Sequence, residues 1–355
     1  MTERRHAVFR ADASTAIGTG HVVRCLTLAA ELIGRGWIAT LATRELPPAL
    51  TPLLAETAVR LVALSPGLTT EDEPAHIGAA LSRRVDLVVV DQYGIGADWQ
   101  RAAAGWAERQ LAVDDLADRF QAADIVLNQN LGTDASRYRD LVGGSTQVLT
   151  GPAYALVRPG FAAARERSLA RRAAHGGRLE RILVFMSGSD PKGVTRRAAQ
   201  AAASAADGFG VAVDVVVGGG YPFLAELQAW ATTQPSVELH VETREMADLM
   251  ERADLAIGAS GSASWERCTL GLPTVLLTLA DNQIEGARAL AAAGAGVDLG
   301  PHDRVKDAAL ESVVIELRDD PSRLAAMSDA AARITDGLGT VRVADALERL
   351  FRERS

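Results

Sequence analysis

The chain has 355 residues, of which 48% are hydrophobic and 23% charged, and its formal net charge is −8. This length and composition predict a globular protein of two domains, and the acidic balance argues against broad nucleic-acid binding because no basic surplus would neutralise phosphates. The two cysteines, Cys25 and Cys268, lack the spacing of a disulfide framework or a structural zinc site.

The N-terminal segment MTERRHAVFRAD contains no apolar signal-like run. Elsewhere in the chain, no uncharged apolar stretch approaches the ~20 residues that a membrane span needs. We therefore expect a cytoplasmic protein that crosses no membrane.

The first half alternates short apolar runs with helical periodicity. Helical patterns run from His21 to Gly34, around residues 46–57, and up to about Arg84. The runs that predict strands are AVFRA, WIATLAT, VRLVAL, DLVVVD, LAVDD and DIVLNQN. Strands that are apolar throughout and separated by helices indicate a parallel sheet covered on both faces.

The segment GPAYALVRPGFAAARERSLARRAAHGG interrupts this alternation. It begins as a turn, continues as a basic helical pattern and ends in two glycines. We interpret residues 156–178 as a connector between an N-terminal domain, residues 1–155, and a C-terminal domain, residues 179–355.

The second half repeats the plan of the first. Its predicted strands are RILVFMSGSD, VAVDVVVGGG, VELHVE, ADLAIGAS and PTVLLTLAD, with helices from Thr195, near Leu224–Ala231, from Ser262 and from Asn282. Two long helical patterns, roughly Val305–Arg318 and Pro321 onward, close the chain. The sequence therefore predicts two Rossmann-like α/β domains that face each other across a cleft.

Three loops rich in glycine and serine follow predicted strands, where open α/β sheets bind their ligands. They contribute Gly18 and Gly20; Ser187, Gly188 and Ser189; and Ser260, Gly261 and Ser262. Each loop could present backbone N–H groups to a phosphate, or could serve only as a tight turn. Two such loops in the second half favour a diphosphate site there. None reads GxxxxGK[ST], which argues against P-loop ATP or GTP hydrolysis.

Glu266 lies one turn into the helix that follows Ser262. Its carboxylate could accept hydrogen bonds from two ribose hydroxyls of the same ligand. The alternative is a glutamate that only stabilises the helix N-terminus. Beside the serine–glycine loop, the ribose interpretation is favoured.

His21 is the one histidine of six that follows a glycine-rich loop at a predicted helix start. That position disfavours the imidazolium, so the ring would be neutral and able to act as a general base. The alternative is a residue that caps the helix. Asp12 could hold the other ring nitrogen or cap the loop, and Arg24 could pair with an acidic loop residue or meet a substrate anion.

Three further residues follow predicted strands. Tyr93 would project toward the cleft or be an ordinary loop aromatic. Asn282 and Gln283 begin a helix, where asparagine is also a common N-cap.

Seven segments, in order from the first strand to Gln283, carry a family resemblance. They are RADASTAIGTGHVVRCLTLA, VVVDQYG, VDDLADR, VLNQNLG, GPAYALVRPGF, ILVFMSGSDP and ASGSASWERCTLGLPTVLLTLADNQ. Together they resemble the PseG-like hydrolases of UDP-2,4-diacetamido-2,4,6-trideoxy-β-L-altropyranose. The resemblance implies the GT-B architecture of MurG-type nucleotide-sugar enzymes, and a role in pseudaminic acid biosynthesis for flagellin glycosylation.

The resemblance also implies roles for individual residues. UDP would lie mainly on the second domain, with Glu266 at the ribose and the two serine–glycine loops near the diphosphate. His21 would activate water for attack at the anomeric carbon, with no metal and no cofactor. Tyr93, Asn282 and Gln283 fall in family motifs and would face the sugar.

The chain departs from the family pattern at two places. Phe120-Gln121 stands where the family often has histidine, and the second-domain loop reads GASGSAS where the family often reads GAGGSS. These departures leave open which UDP-diacetamido sugar is the substrate.

Two other functions remain open from the sequence. One is a GT-B glycosyltransferase, in which an acceptor hydroxyl replaces water at His21. The other is a non-catalytic nucleotide-sugar-binding protein, although such a protein would be expected to lose the base, and His21 stands with its loop intact.

Overall fold

The structure is a computed structural model that describes residues 4–14 and 17–352. Its contacts divide the chain into two compact units. Unit 1 takes the described residues up to Leu156 and those from Leu338 onward, and unit 2 is Val157–Gly337.

Unit 1 is built on a parallel sheet of seven strands. The strands are β1 His6–Ala11, β2 Ile38–Thr43, β3 Arg60–Ala63, β4 Val85–Asp91, β5 Ala107–Val113, β6 Ile125–Asn128 and β7 Gln147–Thr150. The helices in this part of the chain are α1 Gly20–Gly34, α2 Thr51–Glu56, α3 Glu73–Ala80 and α4 Ala97–Ala103, with 3-10 turns at Pro48–Leu50, Ala135–Tyr138 and Pro152–Tyr154. The strand order is β3-β2-β1-β4-β5-β6-β7, so the chain reverses its direction of travel across the sheet between β1 and β4.

Helix α1 shows why the apolar pattern folds in this way. Its buried residues include Val22, Cys25, Ala29 and Leu32, which recur every three or four positions and so share one face of the helix. This face packs on the apolar side chains of the sheet, among them Phe9. Burying it removes apolar surface from water at about 25 cal/mol per Å².

Unit 2 has the same plan with six parallel strands. They are β8 Arg181–Phe185, β9 Ala212–Val217, β10 Val237–Val241, β11 Leu255–Ala259, β12 Thr274–Thr278 and β13 Gly296–Pro301, in the order β10-β9-β8-β11-β12-β13. The helices are α5 Pro159–His175, α6 Val194–Ala206, α7 Leu224–Ala231, α8 Met246–Arg252, α9 Ala263–Thr269, α10 Ile284–Ala292, α11 Asp307–Asp319 and α12 Pro321–Ile334, with a 3-10 turn at Asp281–Gln283. The two parallel sheets with helical crossovers confirm the predicted fold class of two Rossmann-like domains.

The compact units differ from the predicted boundaries of residues 1–155, 156–178 and 179–355. Most of the predicted connector is helix α5, which belongs to unit 2. Arg172 on this helix is buried, and its guanidinium donates hydrogen bonds to the carbonyl oxygens of Met250, Ala253 and Leu270 at 2.7 to 2.8 Å. These bonds satisfy carbonyls where α8 and α9 end, so the segment is part of the unit rather than a linker.

The last helix, α13 Gly339–Arg352, also departs from the predicted boundary, because it belongs to unit 1. Its apolar face, which includes Val343 and Leu347, is fully buried in the same core as α1. Arg35 at the end of α1 pairs with Asp345 at 2.7 Å. The helix therefore completes the core of unit 1, although the chain has passed through all of unit 2 before reaching it.

None of the helices in the described part of the chain combines the length and apolar character that crossing a bilayer requires.

Candidate functional site

The sheet of unit 1 places the residues that follow β1 beside those that end β4. These two strands are neighbours, and the strand order reverses between them. Such a reversal leaves an open crevice beyond the carboxyl ends of the strands, where α/β sheets bind ligands. His21 stands in the first turn of α1, which follows β1, and Asp91 is the last residue of β4.

His21 and Asp91 form a close pair. Nδ1 of His21 lies 2.6 Å from Oδ1 of Asp91, whose side chain is 1% exposed. Because an ionised carboxylate can only accept hydrogen bonds, Nδ1 is the ring nitrogen that carries the proton. The pair therefore leaves Nε2 as the ring nitrogen that can accept a proton.

Arg24 keeps Asp91 ionised. Its Nε lies 2.5 Å from Oδ2 of Asp91 and its Nη2 lies 2.6 Å from Oδ1. Burial alone would raise the pKa of Asp91, but the guanidinium of Arg24, and after it His21, lower that pKa well below its ordinary value. Of the two predicted roles of Arg24, the structure shows pairing with acidic residues.

A second carboxylate completes the cluster. Asp115, which follows β5, accepts from Nη2 of Arg24 at 2.8 Å and from the hydroxyl of Tyr93 at 3.2 Å. The ring of Tyr93 meets the ring of His21 edge to face, with centroids 4.7 Å apart. The structure thus brings three predicted residues, His21, Arg24 and Tyr93, together.

Of the two roles considered for Asp12, holding the His21 ring or capping the loop, the structure does not show the first. Asp12 accepts from Nη1 and Nη2 of Arg10 at 2.6 and 2.8 Å, and from the backbone N–H of Arg44 at 2.9 Å. Arg10 is itself buried between Asp12 and Glu73. Asp12 therefore belongs to a separate buried ion-pair network, and Asp91 takes the place that was predicted for it.

The glycines before His21 have distinct roles. Gly18 has φ = +79°, a conformation that residues with a Cβ atom rarely adopt, and its N–H donates to the carbonyl of Ser14 at 2.8 Å. Gly20 is the first residue of α1. The tight turn at Gly18 directs the chain into the helix that carries His21.

In unit 2, the two serine–glycine loops lie side by side. Ser187, Gly188 and Ser189 follow β8, and Ser260, Gly261 and Ser262 follow β11. Strands β8 and β11 are paired neighbours, and the order of this sheet reverses between them. Both loops therefore stand at the position where a ligand of such a sheet is expected.

The first of these loops is held by its own side chains. Ser187 Oγ accepts from the N–H of Asp190 at 2.8 Å, and Oδ2 of Asp190 accepts from the N–H of Thr195 at 2.7 Å. A Cβ atom at Gly218, after β9, would come within 2.1 Å of the Gly188 carbonyl oxygen. The loops after β8 and β9 therefore pack backbone against backbone, which requires glycine at that position.

Asn282 and Gln283 follow β12, the next strand beside β11. The side-chain carbonyl of Gln283 accepts from the N–H of Leu279 at 2.9 Å, and Nε2 of Gln283 is 3.9 Å from the position that a Cβ atom would take at Gly261. Asn282 is exposed beside it. The predicted binding residues on the loops of unit 2 therefore follow three adjacent strands, β8, β11 and β12.

Glu266 has a partner that the sequence did not predict. Its Oε1 accepts from Nε of Arg158 at 2.8 Å, and the guanidinium of Arg158 lies 4.9 Å from the ring centroid of Phe161. Burial lowers the pKa of Arg158, but Glu266 outweighs it and the pKa is raised. The carboxylate that was predicted to bind ribose is therefore oriented by a cation from its own unit.

One group of side chains among the described residues has the spacing of a metal site. Ligand atoms of Asp214, Glu238 and His240 lie within 4.8 Å of one another, on strands β9 and β10. Asp214, however, already accepts from Arg181 at 3.0 Å, Arg252 at 3.2 Å and His240 at 2.9 Å. Two guanidinium groups on the same carboxylate oppose a bound cation, so this is an ion-pair cluster.

Comparison with known proteins shows the fold that the chain shares with solved structures. Residues 182–349 match the family model of the Glycosyltransferase family 28 C-terminal domain. Over 97% of this chain and 99% of the other, the structure superposes on the crystal structure of MurG from Acinetobacter baumannii, with a TM-score of 0.68 and 18% identity. The likeness to MurG shows that the chain has a fold of the GT-B type, and the similarity to family 28 is confined to residues 182–349, which are less than half of the chain.

Two curated proteins are similar in sequence. The spore coat polysaccharide biosynthesis protein SpsG of Bacillus subtilis is 28% identical over 275 residues, which cover 77% of this chain and 79% of SpsG. The UDP-2,4-diacetamido-2,4,6-trideoxy-β-L-altropyranose hydrolase of Campylobacter jejuni is 23% identical over 291 residues, which cover 82% of this chain and 98% of the hydrolase.

Sequence reasoning missed four residues that contact the predicted site residues or the ends of their loops: Asp91, Asp115, Arg158 and Arg267, which donates to the carbonyl of Ala259 just before the Ser260–Ser262 loop. The two aspartates each follow an apolar strand, in VVVD and AVDD, which is a signal that could have indicated them. The arginines carry no such signal, because the residues that they contact become their neighbours only through the fold or through the geometry of a helix.

Proposed function

We propose that this protein hydrolyses UDP-2,4-diacetamido-2,4,6-trideoxy-β-L-altropyranose to UDP and 2,4-diacetamido-2,4,6-trideoxy-L-altrose, a step of pseudaminic acid biosynthesis. The observation that carries the proposal is the His21–Asp91 pair, in which Nδ1 donates to a buried carboxylate and Nε2 can act as a base. The similarity to the Campylobacter jejuni hydrolase, which extends over 98% of that protein, supports the choice of reaction.

The chemistry needs one base and a leaving group. Nε2 of His21 takes a proton from water while the water oxygen bonds to the anomeric carbon. The bond between that carbon and the diphosphate oxygen breaks, and its electron pair leaves with UDP. Asp91 stabilises the imidazolium that forms, since it carries a negative charge 2.6 Å from Nδ1. A positioned general base of this kind contributes about 10²–10⁴-fold to the rate.

Unit 2 would hold the nucleotide. The loops after β8 and β11 offer backbone N–H groups to the diphosphate, and Glu266 accepts hydrogen bonds from the ribose hydroxyls. Arg158 holds the Glu266 carboxylate ready for this contact. Tyr93, Asn282 and Gln283 are proposed to contact the sugar. No metal is assigned a role, because a diphosphate already leaves readily from an anomeric carbon once it is held by hydrogen-bond donors.

A second candidate function is glycosyl transfer. It is favoured by the match of residues 182–349 to a domain of a glycosyltransferase family. His21 would then take its proton from an acceptor hydroxyl instead of water. The fold is shared by both functions, so the difference must be measured.

The experiment is UDP release from the proposed substrate by purified protein, with EDTA and without any acceptor. We expect equal amounts of UDP and free sugar from the wild type, and no release above background from His21→Ala. The control is His76→Ala, which changes an exposed histidine on α3 and should act as the wild type. Release that requires an added sugar, lipid or protein acceptor would contradict hydrolysis and support transfer.

A further inference from the structure

Arg267 is a buried cation directly beneath one of the proposed nucleotide-binding loops. It is 2% exposed, and its Nη2 donates to the carbonyl of Ala259 at 2.7 Å and to Oγ of Ser264 at 2.9 Å. Ala259 precedes the Ser260–Ser262 loop and Ser264 follows it closely. One guanidinium therefore ties the two ends of this loop together.

The space for this guanidinium is made by Gly258. A Cβ atom at that position would come within 2.6 Å of Nη1 of Arg267 and within 2.7 Å of the carbonyl oxygen of Phe185. Gly258 lies in β11, and Phe185 ends the neighbouring strand β8. The cation thus lies against the two strands whose carboxyl ends carry the serine–glycine loops.

No carboxylate in the described part of the chain forms an ion pair with Arg267, although the charge of Glu266 partly offsets the lowering of its pKa by burial. The adjacent Glu266 is paired with Arg158 instead, and Nε of Arg267 is buried without a hydrogen-bond partner. Burial lowers the pKa of Arg267 to about 10, so the group stays charged at neutral pH. A buried charge without a counter-charge is destabilising in general, so a compensating negative charge is expected.

Arg24 in unit 1 shows the usual solution. It is similarly buried, and two carboxylates, Asp91 and Asp115, pair with it. Arg267 has backbone and hydroxyl oxygens only. An anionic ligand on the loop above would supply the missing negative charge.

We propose that Arg267 is the fixed counter-charge for the diphosphate of a nucleotide bound at the Ser260–Ser262 loop, and that it also positions this loop. The inference rests on the proposed nucleotide site of unit 2 and extends it by a residue that acts from beneath the loop. It explains how the Ser260–Ser262 loop, which contains no lysine, could favour a dianionic or trianionic ligand. The effect of Arg267 on affinity should therefore grow with the number of phosphate groups.

The test compares uridine, UMP and UDP as ligands of the full chain, by calorimetry and, for weak binding, by ligand-observed NMR. In Arg267→Gln we expect UDP affinity to fall about tenfold or more, equivalent to about 1.4 kcal/mol, with a smaller loss for UMP and none for uridine. Arg267→Lys, which keeps the charge, should retain most of the preference for UDP over uridine. Equal losses for all three ligands, or no loss, would overturn the inference.

The matched control is Arg172→Gln. Arg172 is also buried, has its pKa lowered to about 9 by burial, and donates to three carbonyl oxygens, but these lie at the C-terminal ends of α8 and α9 and not in the Ser260–Ser262 loop. We expect this variant to lower thermal stability without changing the ratio of UDP to uridine affinity. A change of that ratio as large as in Arg267→Gln would contradict a specific role for Arg267.

The same data separate this inference from the proposed function. Failure of the wild type to bind UDP would overturn the nucleotide site itself. Wild-type binding of UDP with an unchanged preference in Arg267→Gln would overturn only the counter-charge. If Arg267→Gln does not fold, Arg267→Lys is compared with the wild type instead. Retention of most of the preference for UDP over uridine would support the proposal, and loss of that preference despite the retained charge would contradict it.

Discussion

The two units of this protein share a strand order and differ in the residues placed at the same point of it. In each sheet the first strand stands beside the fourth, and the order reverses between them. Unit 1 fills this position with a histidine, two aspartates and an arginine, whereas unit 2 fills it with glycine and serine loops. The comparison teaches that topology decides where a ligand can lie, and that the residue types decide what happens to it.

The two buried arginines sharpen the contrast. Arg24 lies between two carboxylates, so its positive charge is paired within the protein and one negative charge remains to stabilise an imidazolium at His21. Arg267 has no such partner among the described residues. A histidine beside paired carboxylates suits the uptake of a proton from a bound molecule, and a cation without a carboxylate partner suits an anionic ligand.

The largest expected effect concerns the partner of His21. Asp91→Asn should lower kcat by about 10²–10⁴-fold, because an amide can stabilise the wrong tautomer of the ring and cannot stabilise the imidazolium. UDP affinity should stay within twofold, an estimate that follows from placing the nucleotide on unit 2. Steady-state kinetics and calorimetry measure the two quantities, and a parallel loss of UDP binding would contradict the division of roles.

The next prediction tests which of the two units the last helix, α13, stabilises. Leu347 on α13 is fully buried in the core of unit 1. Leu347→Ala should therefore destabilise that unit by about 2–5 kcal/mol, the usual cost of removing a large buried side chain. Hydrogen exchange should show faster opening of β1 and α1, with β8 and β11 unchanged. Faster exchange in β8 and β11 would place the helix in the other core.

A smaller effect concerns the ribose. Glu266→Gln should lower UDP affinity about tenfold, or about 1.4 kcal/mol, and leave the affinity for 2′-deoxy-UDP less affected. The matched control is Glu251→Gln, since Glu251 also pairs with an arginine, Arg167, at 2.8 Å. If the control weakens UDP binding as much as Glu266→Gln does, the ribose contact is not the cause.

The smallest effect is a pH dependence of stability. The pKa of Asp91 is lower in the folded protein than its ordinary value of 3.8. The ionised carboxylate therefore contributes fully to the free energy of unfolding above pH 3.8, and this contribution is lost as the pH falls below it. Between pH 5 and pH 3 the wild type should lose roughly 1 kcal/mol more unfolding free energy than Asp91→Asn. Denaturant unfolding at both pH values measures this, and Asp98→Asn, at a fully exposed carboxyl, should behave as the wild type.

The sequence predicted the parts of the molecule that follow from local pattern. His21 and the serine–glycine loops could be found because each follows an apolar strand, and parallel strands bring their carboxyl ends to one edge. Strands β7 and β13 were not predicted, since both are edge strands with partly exposed side chains. The last helix could not be assigned to a unit, because an amphipathic pattern shows that a face is buried but not against what.

Residue partners were harder to predict than residue positions. His21 and Asp91 are 70 positions apart, and Arg158 and Glu266 are 108 apart. Asp12 was a reasonable choice for the partner of His21 because it is near in sequence. The structure shows that Arg10, two residues away from Asp12, takes both of its carboxylate oxygens.

The most direct test of the central claim is hydrolysis of the proposed substrate in water labelled with ¹⁸O, followed by mass spectrometry of both products. The account predicts one labelled oxygen in the free sugar and none in UDP, because water attacks the anomeric carbon and the diphosphate keeps the bridging oxygen. Label in UDP would mean that water attacks phosphorus, and it would contradict the role assigned to His21.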